Sequence, residues 1–280
     1  MDDPIISVPK IEITTETQFD LKSFLQAIDY RVARTKKEWE DAYRLVYKEY
    51  LKRGYVKDPE IKLKLSIYNA LPETTTFIAI TNNEVLATAT LIPDSPLGLP
   101  MDEIYHQELE QFRHRNKKIC EISMLASNTE LFDSGVSLML NSRKLFLVFY
   151  LFKIIFDYAK DLLKLDFICI TVNPKHALTY DFLLFKDLGK LKYYKSVNNA
   201  PAIAKYLDLN SVEEECKQKK KIGLYQMFFL KKTSAEKFSQ KFTLTSKDLK
   251  EFFVDKTNIF KDAKPAQLAY LRKWYPDMDY

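Results

Sequence analysis

The hydrophobic positions of this chain change period several times, and each change marks an element. Trp39, Ala42, Tyr43, Val46, Tyr47 and Tyr50 recur at helical spacing, so one face of a helix is aromatic. Thr35 stands where its N-cap belongs, Glu38 follows at the capping-box spacing, and Gly54 marks the stop. A short strand over 30–33 precedes this helix. Residues 61–71 read as a short helix or an irregular segment. Two runs rich in β-branched residues, 74–80 and 85–92, flank Thr81-Asn82-Asn83-Glu84 and predict an antiparallel hairpin. A proline-dense loop over 93–100 leads to a helix over 102–112. Residues 136–163 are long enough for one helix or a helix pair, with Leu138, Leu145, Phe149, Phe152 and Phe156 on the core side. The continuously apolar run 167–172 fits a strand inside a parallel pair. A helix over 177–185, a strand over 190–194 and a last strand or turn over 200–207 follow.

The stretch 118–126, K-I-C-E-I-S-M-L-A, places an acidic residue inside an otherwise apolar strand. Alternation puts Ile119, Glu121, Ser123 and Leu125 on one face, and Cys120, Ile122, Met124 and Ala126 on the other. An ionised carboxylate buried without partners is costly, so Glu121 is either paired or used. From this stretch alone, a structural carboxylate and a catalytic one are equally open readings. The two strands 118–126 and 167–172, joined by a long helix, form a crossover unit, and ligands bind such sheets beyond the carboxyl ends of the strands. The loop after Ala126 and the segment Asn173-Pro174-Lys175-His176 stand at those ends. His176 is read as a helix cap ahead of a proton carrier, and Asn173 as a ligand or strand-end hydrogen bonder.

Composition narrows the class. With 46% hydrophobic residues, 29% charged residues and only 5 glycines in 280 residues, the chain is globular and not low in complexity. Three cysteines, Cys120, Cys169 and Cys216, are widely spaced, which suggests neither a disulfide framework nor a metal site. The acidic start M-D-D-P-I-I-S lacks the basic region of a signal peptide, and a cytoplasmic setting is expected. The longest apolar run, 145–156, contains Lys153 and falls short of the roughly 20 residues a bilayer span needs, so no transmembrane segment is expected. The net charge of +5 lies wholly in residues 211–280, which hold 15 basic against 10 acidic side chains. Lys217-Gln218-Lys219-Lys220-Lys221 lacks interleaved aromatics, so no nucleic-acid partner is expected. The chain divides into an N-terminal arm over 1–28, a main domain over 29–209, and a basic extension of a strand plus helices over 210–280.

Taken in order, R-V-A at Arg31, Y-x-x-Y-L-K-R-G-Y at Tyr47 to Tyr55, A-T-A-T-L-I-P-D-S-P-L-G-L-P-M-D at Ala87 to Asp102, E-I-S-M-L-A at Glu121 and V-N-P-K-H at Val172 resemble the N-acyl amino acid synthases of the FeeM type. That family has the Gcn5-related acetyltransferase fold and is related to the acyl-homoserine-lactone autoinducer synthases. The resemblance covers roughly residues 29 to 209. It implies an α/β fold with a central mixed, mostly antiparallel sheet, one parallel splayed strand pair and flanking helices. It also implies transfer of a long-chain acyl group from an acyl carrier protein thioester to the amine of an amino acid, the phosphopantetheine thioester being a co-substrate and no cofactor being permanently bound.

On this resemblance Glu121 is the base that removes a proton from the amine, and backbone N–H groups near Leu125 and Ala126 meet the oxyanion. Arg31, Tyr50, Tyr55, Ser123, Met124, Leu125, Ala126, Asn173 and His176 are expected to contact substrate, and Phe149, Phe152 and Phe156 the acyl chain. The stretch 128–137 holds only Gly135 and no arginine, unlike loops that cradle a coenzyme A pyrophosphate. Carrier proteins are acidic, so Arg113, Arg115, Lys117 and Lys118 are the expected docking patch. The C-terminal basic run is a second candidate for that contact, or for one with a membrane surface. Three positions that hold arginine in the autoinducer relatives are Val46, Thr90 and Met124 here, which argues against S-adenosylmethionine as acceptor. The alternative is a catalytically silent relative that binds a carrier protein or an acylated ligand.

Overall fold

In the computed structural model, which describes residues 25–56, 61–132 and 138–277, a seven-stranded sheet runs in the order β1-β2-β3-β4-β5-β7-β6. The strands are β1 (Asp29–Val32), β2 (Thr75–Thr81), β3 (Glu84–Pro93), β4 (Ile119–Ser127), β5 (Phe167–Val172), β6 (Lys186–Tyr194) and β7 (Ala200–Asp208). All neighbours pair antiparallel except β4 and β5, the one parallel pair. The mixed sheet with one parallel pair is therefore as expected. The N-terminal arm up to residue 24, the Asp58-Pro59 loop and the Gly135 loop lie outside the described residues.

Helices cover both faces. α1 (Lys36–Lys52) and α2 (Asp102–Arg113) pack on one face, α3 (Leu138–Asp157) on the other. The aromatic stripe of α1 is core: Trp39, Tyr43, Val46 and Tyr47 are buried. Thr35 caps α1 by accepting from Glu38 N. The Glu38 carboxylate accepts from the Arg31 guanidinium and from Arg34 N, and these together with the Thr35 backbone N–H lower its pKa. In the hairpin, Asn82 and Asn83 both have positive φ, the geometry of a two-residue turn that follows the strand twist. The ambiguous segment 61–71 contains a single 3₁₀ turn, Ile67–Ala70.

Several expectations fail. β6 starts at Lys186, four residues before 190, and the helix α4 (Ala177–Phe182) stops before 185. Leu145, placed on the core side of α3, is exposed, while Phe149, Phe152 and Phe156 are buried. The side chain of Leu138 lies outside the described set. Among the described residues the extension holds no strand: α5 (Val212–Gln218), α6 (Ile222–Tyr225) with its π-turn continuation Gln226–Leu230, α7 (Ser246–Leu249) and α8 (Pro265–Leu271) are helical.

The alternation of β4 also breaks. Cys120 and Ile122 join the core under α3, yet Met124 and Ala126 join the opposite core under α1, and Leu125 packs toward the α3 side. The cause is a β-bulge. Thr90 pairs with Ser123 and Thr88 with Ala126, so Ala89 alone faces Met124 and Leu125, and Met124 takes φ +53°. One extra residue reverses every side chain beyond it.

Candidate active site

Glu121 lies on the α1 and α2 face, 1% exposed, at the last register pair between the parallel strands. Ile119, Cys120 and Glu121 pair with Phe167, Ile168 and Cys169, and the ladder ends there. Beyond Glu121 the strands part, and β5 continues to pair with β7 alone up to Val172. A wedge thus opens at the carboxylate, flanked by the bulged backbone of Met124 and Leu125 and closed on its far side by the paired segment. Backbone groups on the wedge edges lack a strand partner, which suits them to an extended substrate.

The proline-dense loop aims a donor at the carboxylate. Met101 N donates to Glu121 Oε2 at 2.7 Å. Arg113 holds that loop: Nε and Nη2 donate to Asp94 at 2.8 and 2.9 Å, and Nη1 and Nη2 to Asp102 at 2.7 and 2.6 Å. Asp102 Oδ2 also accepts from Leu99 N at 2.6 Å. Burial pushes the Glu121 pKa up to about 8, with the Met101 N–H opposing and Asp102 adding to the rise. Burial therefore favours the neutral, protonated form of Glu121.

Tyrosines surround it. Tyr50, Tyr68 and Tyr194 all feel the Glu121 charge, and burial raises their pKa values, that of Tyr50 to about 12. Tyr68 donates to Leu99 O at 3.1 Å. Among the described residues no hydrogen bond of ordinary geometry reaches the buried Tyr194 hydroxyl, although Thr171 lies close enough to act on its pKa. Sequence reasoning missed Tyr68 and Tyr194, which sit in an ambiguous segment and at a strand end.

The expected Tyr50 and Tyr55 do meet, edge to face at 5.7 Å, and Asn173 Nδ2 donates to the Tyr55 hydroxyl at 3.2 Å. Asn173 also caps the turn Pro174–His176 through Lys175 N. His176, largely exposed at the open end of the wedge, has its pKa lowered by partial desolvation and by Lys175, Arg53 and Lys144. Ser123 is half-buried beside the bulge, and Ala126 is buried beyond it. Tyr180, which sequence reasoning also missed, lies near Tyr50 on one side and packs edge to face on Phe152 at 5.9 Å on the other.

Other expected residues are elsewhere. Arg31 is buried on β1, held by Asp29 and by both oxygens of Glu38, so its guanidinium serves the scaffold. Arg113 serves the loop, as above. Arg115, Lys117 and Lys118 are exposed, but they precede β4, where the strands are paired, and Lys117 faces Asp166. The open end of the wedge is opposite. Phe149 stacks on Phe182 at 5.8 Å, whereas Phe152 and Phe156 line an apolar cavity with Ile168, Leu183, Phe185 and Leu207.

Val46, Thr90 and Met124 converge. Tyr43 OH bonds Thr76 and Thr90 at 2.8 and 3.1 Å, Asn69 Nδ2 donates to Tyr43 OH at 2.9 Å and contacts Met124 Sδ at 3.9 Å, and Val46 packs in the same core. The network they share is neutral and hydrogen-bonded. Glu49, buried in α1, accepts from Thr129 N and Oγ1 at 3.2 and 2.9 Å, tying α1 to the loop after β4.

A mixed sheet whose parallel pair splays at a buried carboxylate, with helices on both faces, is the Gcn5-related fold of N-acyltransferases. The family model of the N-acyl amino acid synthase FeeM matches residues 41–208. The solved structure of FeeM, an N-acyl amino acid synthase from uncultured soil microbes, is similar at 30% identity and a TM-score of 0.57, over 68% of this chain and 96% of that one. The AHL synthase LasI (14% identity, TM-score 0.47, 74% and 96% covered) and an N-acetyltransferase from Staphylococcus aureus Mu50 (16%, 0.44, 65% and 98%) are more distant. No curated protein matches the chain. The chain belongs to the FeeM family of N-acyl amino acid synthases, and is thus an acyltransferase.

Proposed function

We propose that the protein transfers a long-chain acyl group from the phosphopantetheine thioester of an acyl carrier protein to the amine of an amino acid. The observation that carries this reading is the end of β4–β5 pairing at Glu121, which sets a buried carboxylate at the apex of an open wedge. The thioester arm extends along the wedge, and the amino acid enters on the α1 and α2 face. Its ammonium gives one proton to the Glu121 carboxylate, whose ionisation the incoming cation favours. The neutral amine attacks the thioester carbonyl, forming the C–N bond. Backbone N–H groups at the Met124–Leu125 bulge meet the oxyanion. The C–S bond breaks, the leaving thiolate takes the proton held by Glu121 and so restores the carboxylate, and the second proton lost by nitrogen passes to solvent.

The buried Tyr194 hydroxyl offers the substrate a hydrogen bond. The neutral Tyr43–Asn69–Thr90 network supports an uncharged acceptor side chain over S-adenosylmethionine. Carrier docking fits the open end of the wedge, near Lys144, Lys175 and His176, better than Arg115, Lys117 and Lys118 at the paired end. The test is mass spectrometry of the purified protein with carrier proteins charged with graded acyl chains and all common amino acids. An N-acyl amino acid that vanishes in Glu121→Gln supports the reading. No product from the wild type with any donor refutes it.

A further inference from the structure

The cavity beside Phe152 and Phe156 is closed by residues that lie beyond the family match, which ends at residue 208. Val212, Leu224, Phe228 and Phe229 of the extension complete its wall. Phe228 and Phe229 meet Phe156 edge to face at 5.9 and 5.5 Å. Phe228 and Phe229 sit in the π-type turn Gln226–Leu230 after α6, and Phe156 lies in the last turn of α3, just before the π-type turn Tyr158–Leu162. Ion pairs and backbone bonds fix the two turns together. Lys232 meets Asp161 at 2.7 Å, and Thr233 N donates to Asp157 Oδ2 at 2.8 Å while Lys153 pairs with the same buried carboxylate. Lys160 Nζ stands over the Phe156 and Phe229 rings at 5.6 and 5.9 Å.

Elements of the site and of the cavity adjoin. The wedge opens between β4 and β5, Ile168 of β5 lines the cavity, and Tyr180 joins Tyr50 beside Glu121 to Phe152 at the cavity rim. A chain carried on a thioester in the wedge would pass Tyr180 and end against the extension. The lining side chains are all apolar, which selects a hydrocarbon tail over any polar ligand.

We propose that the 212–230 segment of the extension is the end wall of the acyl pocket, and that Leu224 and Phe228 set the acyl length the enzyme accepts. The inference rests on the acyl-transfer reading above. The test uses the full chain, carrier proteins charged with saturated acyl groups of graded length, and mass spectrometry of the product distribution. Phe228→Ala, with Phe228→Leu as the milder variant, deepens the pocket. It should raise the preference for longer over shorter donors about fourfold per methylene group newly housed, the equivalent of about 0.8 kcal/mol each. Leu224→Phe fills the pocket and should shift the distribution to shorter chains. Opposite shifts in the two directions support the proposal, since general destabilisation moves neither ratio. Unchanged chain-length ratios in folded, active Phe228→Leu and Leu224→Phe overturn it while leaving the acyl-transfer reading intact. A wild type without product overturns both.

Discussion

At the scale of single residues, Glu121, the proposed base, bears on both chemistry and stability. Its ordinary pKa of 4.5 rises to about 8 on burial, so the folded protein holds a proton that the unfolded chain releases between those values. The destabilisation is absent below about pH 4.5, grows as pH rises, and is complete above about pH 8. Glu121→Gln keeps an oxygen for Met101 N and removes this burden. Its melting temperature should exceed that of the wild type by a margin that widens from pH 5 to pH 9 in thermal scans. A margin that stays flat or narrows would rule out the raised pKa. In the same variant turnover should fall by about 10² to 10⁴-fold, the usual worth of a general base. Wild-type kcat/KM should climb through a limb near pH 8 that Glu121→Gln lacks. Glu121 was legible in the sequence because a lone acid in an apolar strand is anomalous. Tyr68, Tyr194 and Tyr180 were not, since they come from separate elements and only tertiary packing gathers them. Arg31 and Arg113 misled because a cation in a motif looks the same whether it faces a ligand or an internal carboxylate.

At the scale of elements, the wedge depends on two local irregularities. The first is the bulge in β4, which period-two alternation could not reveal: the pattern of apolar residues is satisfied on both faces, and the extra residue is set by pairing with β3. The second is the loop over 93–101, whose prolines were visible although its role in aiming Met101 N was not. Gly98 in that loop has φ +75°, and a Cβ there would lie 2.7 Å from Asp102 Oδ2. Gly98→Ala should therefore cost about 1–3 kcal/mol through backbone strain and displacement of the Asp102 carboxylate. Because the same carboxylate anchors Leu99 N and Arg113, the loop should also lose its hold on Glu121. Chemical denaturation should show the stability loss, and kcat/KM should fall beyond what the unfolded fraction explains. Wild-type kcat/KM in Gly98→Ala would mean that the loop does not position the carboxylate.

At the scale of the whole molecule, the extension is a strap with two duties. Its first part lies on the α3 face. Residues 235–238 then cross the edge strand β1, where Lys237 meets Asp29 at 2.7 Å and Arg34 donates to Glu236 O at 2.7 Å, covering an edge open to pairing with other chains. The remainder packs over α1. Trp39 touches Phe252 at 5.2 Å, Lys36 bridges Asp248 and Glu251 at 2.7 Å each, and Tyr275 OH donates to Ala70 O at 3.0 Å. The basic charge of this region suggested a surface for partners, but part of it pairs within the fold, as Lys232 with Asp161 and Lys237 with Asp29. The division of duties makes a paired prediction. Phe252 is fully buried, so Phe252→Ala should cost about 3–5 kcal/mol through the cavity it leaves. That corresponds to a fall in melting temperature on the order of 10 °C for a chain of this size. The lost side chain lies across the sheet from Phe152 and Phe156, so the lengths of acyl chain transferred should not change. Phe228→Ala should do the reverse in kind, altering which donors are used. If Phe252→Ala shifted the product distribution as Phe228→Ala does, the strap would act as one body, coupling both faces of the sheet to the acyl pocket.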